Sequence, residues 1–140
     1  SDGSLVTARW LLDELAAAPV GAEFTLAEGL LDKAKEAADS LEGSRDQLRP
    51  VLHLLSLAWR DVFLRASGYG GELLTWGDSC PALKSLAARV TPSAARRLAA
   101  LTIEARDRLD ANANLKLLAD ALLLDTGSLL CGGEPLPVKV

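Results

Sequence analysis

His53 is the only histidine in the chain and the side chain best suited to proton transfer near neutral pH. It shares a narrow polar stripe with Arg49, Ser56 and Arg60 in an otherwise apolar helical run. A general base must reach a nucleophile or a substrate proton, and no Ser or Cys stands at a local spacing that pairs with it. His53 therefore reads as a helical histidine without a catalytic role. Cys80 and Cys131 lie outside any Cys-x-x-Cys pair or Cys/His cluster, so the converging ligands of a zinc site are not in evidence. On counting alone these two cysteines allow one disulfide. Gly70-Gly71 is followed by Glu72 and Leu73 where a phosphate loop would place Lys and Ser, so no nucleotide is expected to bind. The expectation is a non-catalytic chain with no cofactor and no metal.

Other constellations have competing readings. Trp59, Phe63 and Tyr69 could stack on unpaired bases, but Trp59 and Phe63 stand among leucines at helical spacing, which favours core packing. Asp61 and Arg65 have the spacing of an i,i+4 ion pair. Net charge is −4, unevenly spread: residues 1–43 carry 3 basic and 9 acidic groups, whereas residues 81–112 carry 6 and 3. An acidic front and a basic helix pair are complementary in a head-to-tail contact, although ordinary solvated helix faces give the same pattern. A strongly basic stripe for nucleic acid is absent.

These residues must be positioned by helices. The apolar half of the chain is mainly Leu and Ala, strong helix formers, and no stretch alternates long enough to read as a strand. The class is all-α, a helical bundle of five to six helices with an extended C-terminal tail. A first helix runs to Pro19, with Leu5, Ala8, Leu12, Leu15 and Ala16 on one face. A second covers 25–42, with Thr25 and Glu28 as a capping box, Leu30, Leu31, Ala34, Ala37, Ala38 and Leu41 buried, and Gly43 as its stop. Ser44 and Gln47 repeat the capping pattern for a third helix to Ala66, which must either bend at Pro50 or begin there. Residues 67–80 are a Gly-rich crossover that Leu73, Leu74 and Trp76 tuck onto the core. Pro81 opens a fourth helix to residue 90, and Thr91-Pro92 caps and opens a fifth. A polar corner at Asn112-Ala113-Asn114 leads to a sixth helix ending near residue 126. The pattern then dissolves into Gly and Pro, leaving at most an extended contact at Val138-Lys139-Val140.

The last helix pair, the Asn-x-Asn corner and the segment LLSLAWRDVFLRASG with its Trp59-Arg60-Asp61 triplet resemble a known family. They are similar to the C-terminal collar domain of bacterial clamp loaders, above all the delta-prime subunit of DNA polymerase III. The resemblance covers roughly residues 40–126. A weaker likeness joins the Asp-Gly-Ser start to the helix that leads out of the preceding lid domain. The resemblance implies 1–20 as that leading helix, 21–127 as the collar domain and 128–140 as an extended or disordered tail. It implies a cytoplasmic, non-catalytic part of a DNA polymerase (nucleotidyltransferase) holoenzyme. Its partners would be the delta and gamma/tau subunits, with neither direct nucleic-acid contact nor a membrane role for this stretch. A gamma/tau collar shares the architecture. The chain contains no Met, so it reads as a fragment of a longer protein.

Independently of the resemblance, the sixth helix carries more apolar surface than one buried face requires. The candidate subunit interface is its surplus side, Leu117, Ala121 and Leu124, together with Arg97, Glu104 and Arg108 of the fifth helix. Two other readings stay open. One is a ligand-binding bundle with a pocket lined by Trp10, Trp59 and Phe63 near His53. The other is a nucleic-acid-binding domain using Arg89, Arg96, Arg97, Arg106 and Arg108, should they cluster on one face.

Overall fold

A computed structural model describes residues 2–17, 21–37 and 41–131. Within them the chain forms six α-helices and a single 3-10 turn, Gly71–Leu73, with no strand. The helices are α1 (Asp2–Ala17), α2 (Glu23–Glu36), α3 (Leu41–Ala66), α4 (Pro81–Ala87), α5 (Pro92–Asp110) and α6 (Leu115–Leu130). The all-α bundle expected from composition is the observed architecture.

The centre is α3, which packs most extensively on α5 and also meets α1, α2 and α4. Its buried stripe runs Leu48, Val51, Leu52, Leu55, Ala58, Trp59 and Val62. Such breadth follows from an apolar run that covers most of the helix circumference. Trp59 is only 2% exposed, so the core-packing reading holds for it, with Phe63 partly buried beside the core. Helix α6 lies against α2 and α5, burying Leu115, Leu118, Ala119, Leu122 and Leu123. Thr102, buried in α5, keeps its hydroxyl satisfied by donating to the Leu98 carbonyl at 2.9 Å. The α1 face of Ala8, Leu11, Leu12 and Leu15 joins the same core, whereas Leu5 is exposed.

Several boundaries differ from expectation. Helix α2 starts at Glu23 behind Ala22, which makes no side-chain capping bond, so Thr25 is an exposed first-turn residue and not a cap. It ends at Glu36, and Ala37 is exposed. Gly43 is not a stop, nor does Ser44 cap: both lie inside α3, which begins at Leu41. Burial explains the shift, since Ser44 and Arg45 are both drawn into the interior. Arg45 Nη1 donates to the Leu109 and Ala113 carbonyls at 3.2 and 2.9 Å. Those bonds tie the first turns of α3 to the α5–α6 corner. Pro50 is therefore interior to a 26-residue helix and does not start it.

Helix α6 continues to Leu130, four residues past the expected end. Leu129 and Leu130 are buried there, and Gly127 admits the Glu23 side chain, whose Oε1 lies 2.6 Å from where a Cβ would stand. Apolar burial outweighs the modest cost of a helical glycine, about 1 kcal/mol relative to Ala. The expected end of α1 at Pro19 and the tail contact at Val138-Lys139-Val140 fall outside the described residues.

The crossover is strapped to α3 by charge. Asp61 is fully buried and its carboxylate accepts the backbone N–H groups of Thr75, at 2.8 Å, and Trp76. Arg65 does not pair with Asp61; it turns to the Gly77 carbonyl and Asp78 at 2.8 and 3.0 Å. Arg60 donates to the Leu73 carbonyl, and the Trp76 indole N–H to that of Leu54. Trp76 is partly buried, as expected, while the Leu73 side chain faces outward. A buried carboxylate needs N–H donors more than it needs a helix-surface partner, and the loop amides supply them.

Candidate subunit interface

Local chemistry sets the two helices that carry the candidate surface. Thr91 caps α5, its Oγ1 accepting the Ala94 N–H at 3.1 Å, with Pro92 at the first helical position. Asn112 takes a positive φ of 63°, a left-handed geometry that Asn tolerates better than most residues. Asn114 then caps α6 by accepting the Leu117 N–H at 3.0 Å. The corner thus folds as its polar residues direct, and Arg45 holds it from beneath.

The core face of α6 points into the bundle, and Leu117, Ala121 and Leu124 are all exposed. Leu117 is 68% exposed and Leu124 37%. They stand two turns apart, about 10 Å along the helix, with Ala121 between them. Completing their burial against another surface would contribute roughly 1.5–3 kcal/mol together, scaling the burial of a leucine side chain by the exposure of each. On α5, Arg97, Glu104 and Arg108 are exposed as well, and Arg108 Nη2 meets Glu104 Oε1 at 3.4 Å. That pair is solvated and contributes little by itself. Ile103, 44% exposed, adds an apolar residue to α5 that the sequence reading passed over. Its signal was a branched apolar side chain out of step with the buried stripe of Leu98, Thr102, Ala105 and Leu109.

The residues singled out for chemistry are dispersed. His53 is exposed, and its Nδ1 accepts from Arg106 Nη1 at 3.0 Å, since a guanidinium has only donors. Cys80 is buried and Cys131 exposed; both are free thiols, so the disulfide allowed by counting does not form. Burial pushes the Cys80 thiol up, and the nearby Asp13 charge adds to this. Among the described residues no group of three or more His, Cys, Asp or Glu side chains is placed to hold a metal ion. Among the described residues no helix is long and apolar enough to cross a membrane.

Two clefts among the described residues differ from the pocket envisaged near Trp59 and His53. One, about 330 Å³, is walled by α1, α2 and α3 around Ser4, Lys33, Ala34 and Leu48. The other, about 310 Å³, opens between α2, α3 and the start of α6. Neither takes a wall from Trp10, Trp59 or Phe63. Trp10 instead lies beneath the Lys33 ammonium, 4.8 Å from the ring centre. The five arginines considered for nucleic acid do not act as one set. Arg89 donates to the Leu15 and Ala16 carbonyls at the end of α1, Arg106 contacts His53 and Arg108 contacts Glu104. No family model, curated protein or solved structure matches this chain.

Proposed function

We propose that this chain is a protein-association domain, the collar of a clamp-loader subunit of the delta-prime type. In this role it joins delta and gamma/tau collars into the ring that loads the sliding clamp during DNA replication in the cytoplasm. It contributes no catalytic residue to the polymerase holoenzyme it serves. Support comes from the outward face of α6, where Leu117, Ala121 and Leu124 form an exposed apolar stripe on a helix already anchored in the core. Ring neighbours meet through two different surfaces, so each subunit needs one on either side. The α6 stripe serves as one and the Arg97, Glu104 and Arg108 stripe of α5 as another. A hetero-oligomer tunes these faces to unlike partners, which leaves self-pairing weak.

The test is the double variant Leu117→Asp, Leu124→Asp. Its far-ultraviolet circular dichroism should match the parent, because both side chains are exposed. Its co-elution with delta and gamma/tau collar domains in size-exclusion chromatography should be lost. A folded variant that still co-elutes with unchanged affinity removes α6 from the interface. Failure of the parent chain to bind any collar overturns the clamp-loader assignment itself.

A further inference from the structure

We propose that the cleft between α2, α3 and the start of α6 is a binding site for a free phosphate group, an inference independent of the collar assignment. About 310 Å³ in volume, it is lined by Lys35, Ser44, Arg45, Asn114 and Lys116 together with two leucines. Three cations from three helices converge there, and among the described residues no carboxylate lines the cleft. In a chain of net charge −4 that concentration of positive charge is a product of the fold.

The cleft is built around Arg45. It is 8% exposed, and its Nη1 is committed to the Leu109 and Ala113 carbonyls. Those two bonds fix the guanidinium plane, so Arg45 has little rotamer entropy left to lose when the cleft is filled. Asn114 lines the same cleft and caps α6, which places the N-terminal end of that 16-residue helix at the site. The positive end of the helix dipole favours an anion there. Lys35 makes no ion pair among the described residues. Lys116 donates to the partly buried Asp120 at 2.8 Å while its own side chain stays exposed at the cleft. Donors approaching from three helices suit the four oxygens of a tetrahedral phosphate better than the two coplanar oxygens of a carboxylate.

The experiment is a titration of the isotope-labelled chain with inorganic phosphate, followed by amide chemical shifts at ionic strength held constant with chloride. Shifts should concentrate at Ser44, Arg45, Asn114 and Lys116 and saturate with Kd on the order of 1 mM, as expected of a few charge-assisted hydrogen bonds. The double variant Lys35→Gln, Lys116→Gln changes only exposed side chains and should weaken binding at least tenfold. Shifts scattered over every Lys and Arg, or an unaltered titration in the double variant, overturn the site. Succinate should bind at least tenfold more weakly, and equal binding overturns the assignment to phosphate. A short oligothymidylate that displaces phosphate at micromolar concentration overturns the free-ligand assignment and places a nucleic-acid backbone there instead.

Discussion

Asp61→Ala removes the carboxylate that holds the crossover against α3. The wild-type side chain is fully buried and accepts two backbone N–H groups, from Thr75 at 2.8 Å and from Trp76. A hydrogen bond to a charged group contributes about 1.5–3 kcal/mol, so two set an upper limit of roughly 3–6 kcal/mol. The loop has an escape, because its amides regain water if the segment lifts off. The loss is then limited by what docking itself contributes, chiefly the partial burial of Trp76 and the Arg65 bonds to Gly77 and Asp78. Arg60, 3.8 Å away and half exposed, adds little. The expected cost is about 2–4 kcal/mol, read as a lower urea midpoint at unchanged slope. Asp61→Asn keeps one acceptor oxygen but points an NH2 group at the second amide, so it should fall between wild type and Asp61→Ala. Hydrogen exchange separates loop release from general destabilisation. The Thr75 and Trp76 amides should be among the protected ones in the parent and exchange freely in Asp61→Ala, while the Leu55 and Val62 amides of α3 stay protected. A stability change under about 0.5 kcal/mol with those two amides still protected would refute the strap.

Further expectations concern the core, the thiols and nucleotides. Trp59→Ala should cost about 3–5 kcal/mol in denaturant unfolding, as for other buried large aromatics; a midpoint matching the parent would contradict its 2% exposure. At pH 8 a thiol reagent should label Cys131 promptly and Cys80 only after unfolding, since Cys80 is buried and its thiol pKa is raised. The raised value also ties stability to pH: the Cys80 contribution is fully present below the unfolded thiol pKa and is lost as pH rises through the folded one. Urea midpoints of the parent should therefore drop above about pH 9 by more than those of Cys80→Ala. Calorimetric titration with ATP and magnesium should give no saturable micromolar binding, and such binding would overturn the non-catalytic assignment.

What was legible in the sequence is the chemistry that acts within a turn or two. Thr91 and Asn114 start α5 and α6 because a cap satisfies neighbouring amides with no help from elsewhere, and Pro81 opens α4 because its ring presets a helical φ at a position that needs no N–H. The same logic applied to Thr25, Gly43 and Ser44 misplaces α2 and α3. Position 44 is buried in the fold, and Arg45 beside it bonds carbonyls 64 and 68 residues away, contacts no local pattern encodes. Gly127 reads as a helix end for a similar reason, although burial of Leu129 and Leu130 carries α6 past it. The surplus leucines of α6 were countable in the sequence, since seven-residue spacing puts Leu117 and Leu124 on one side of any helix. The partners of Asp61 were not, because its i,i+4 neighbour Arg65 faces the loop end and the buried carboxylate takes amides 14 and 15 residues on. Nor was the cationic cleft: Lys35, Arg45 and Lys116 belong to three helices, and only their packing sets three like charges around one space. Periodicity and capping are short-range properties of the chain, whereas burial of charge is decided by which distant segments exclude the water.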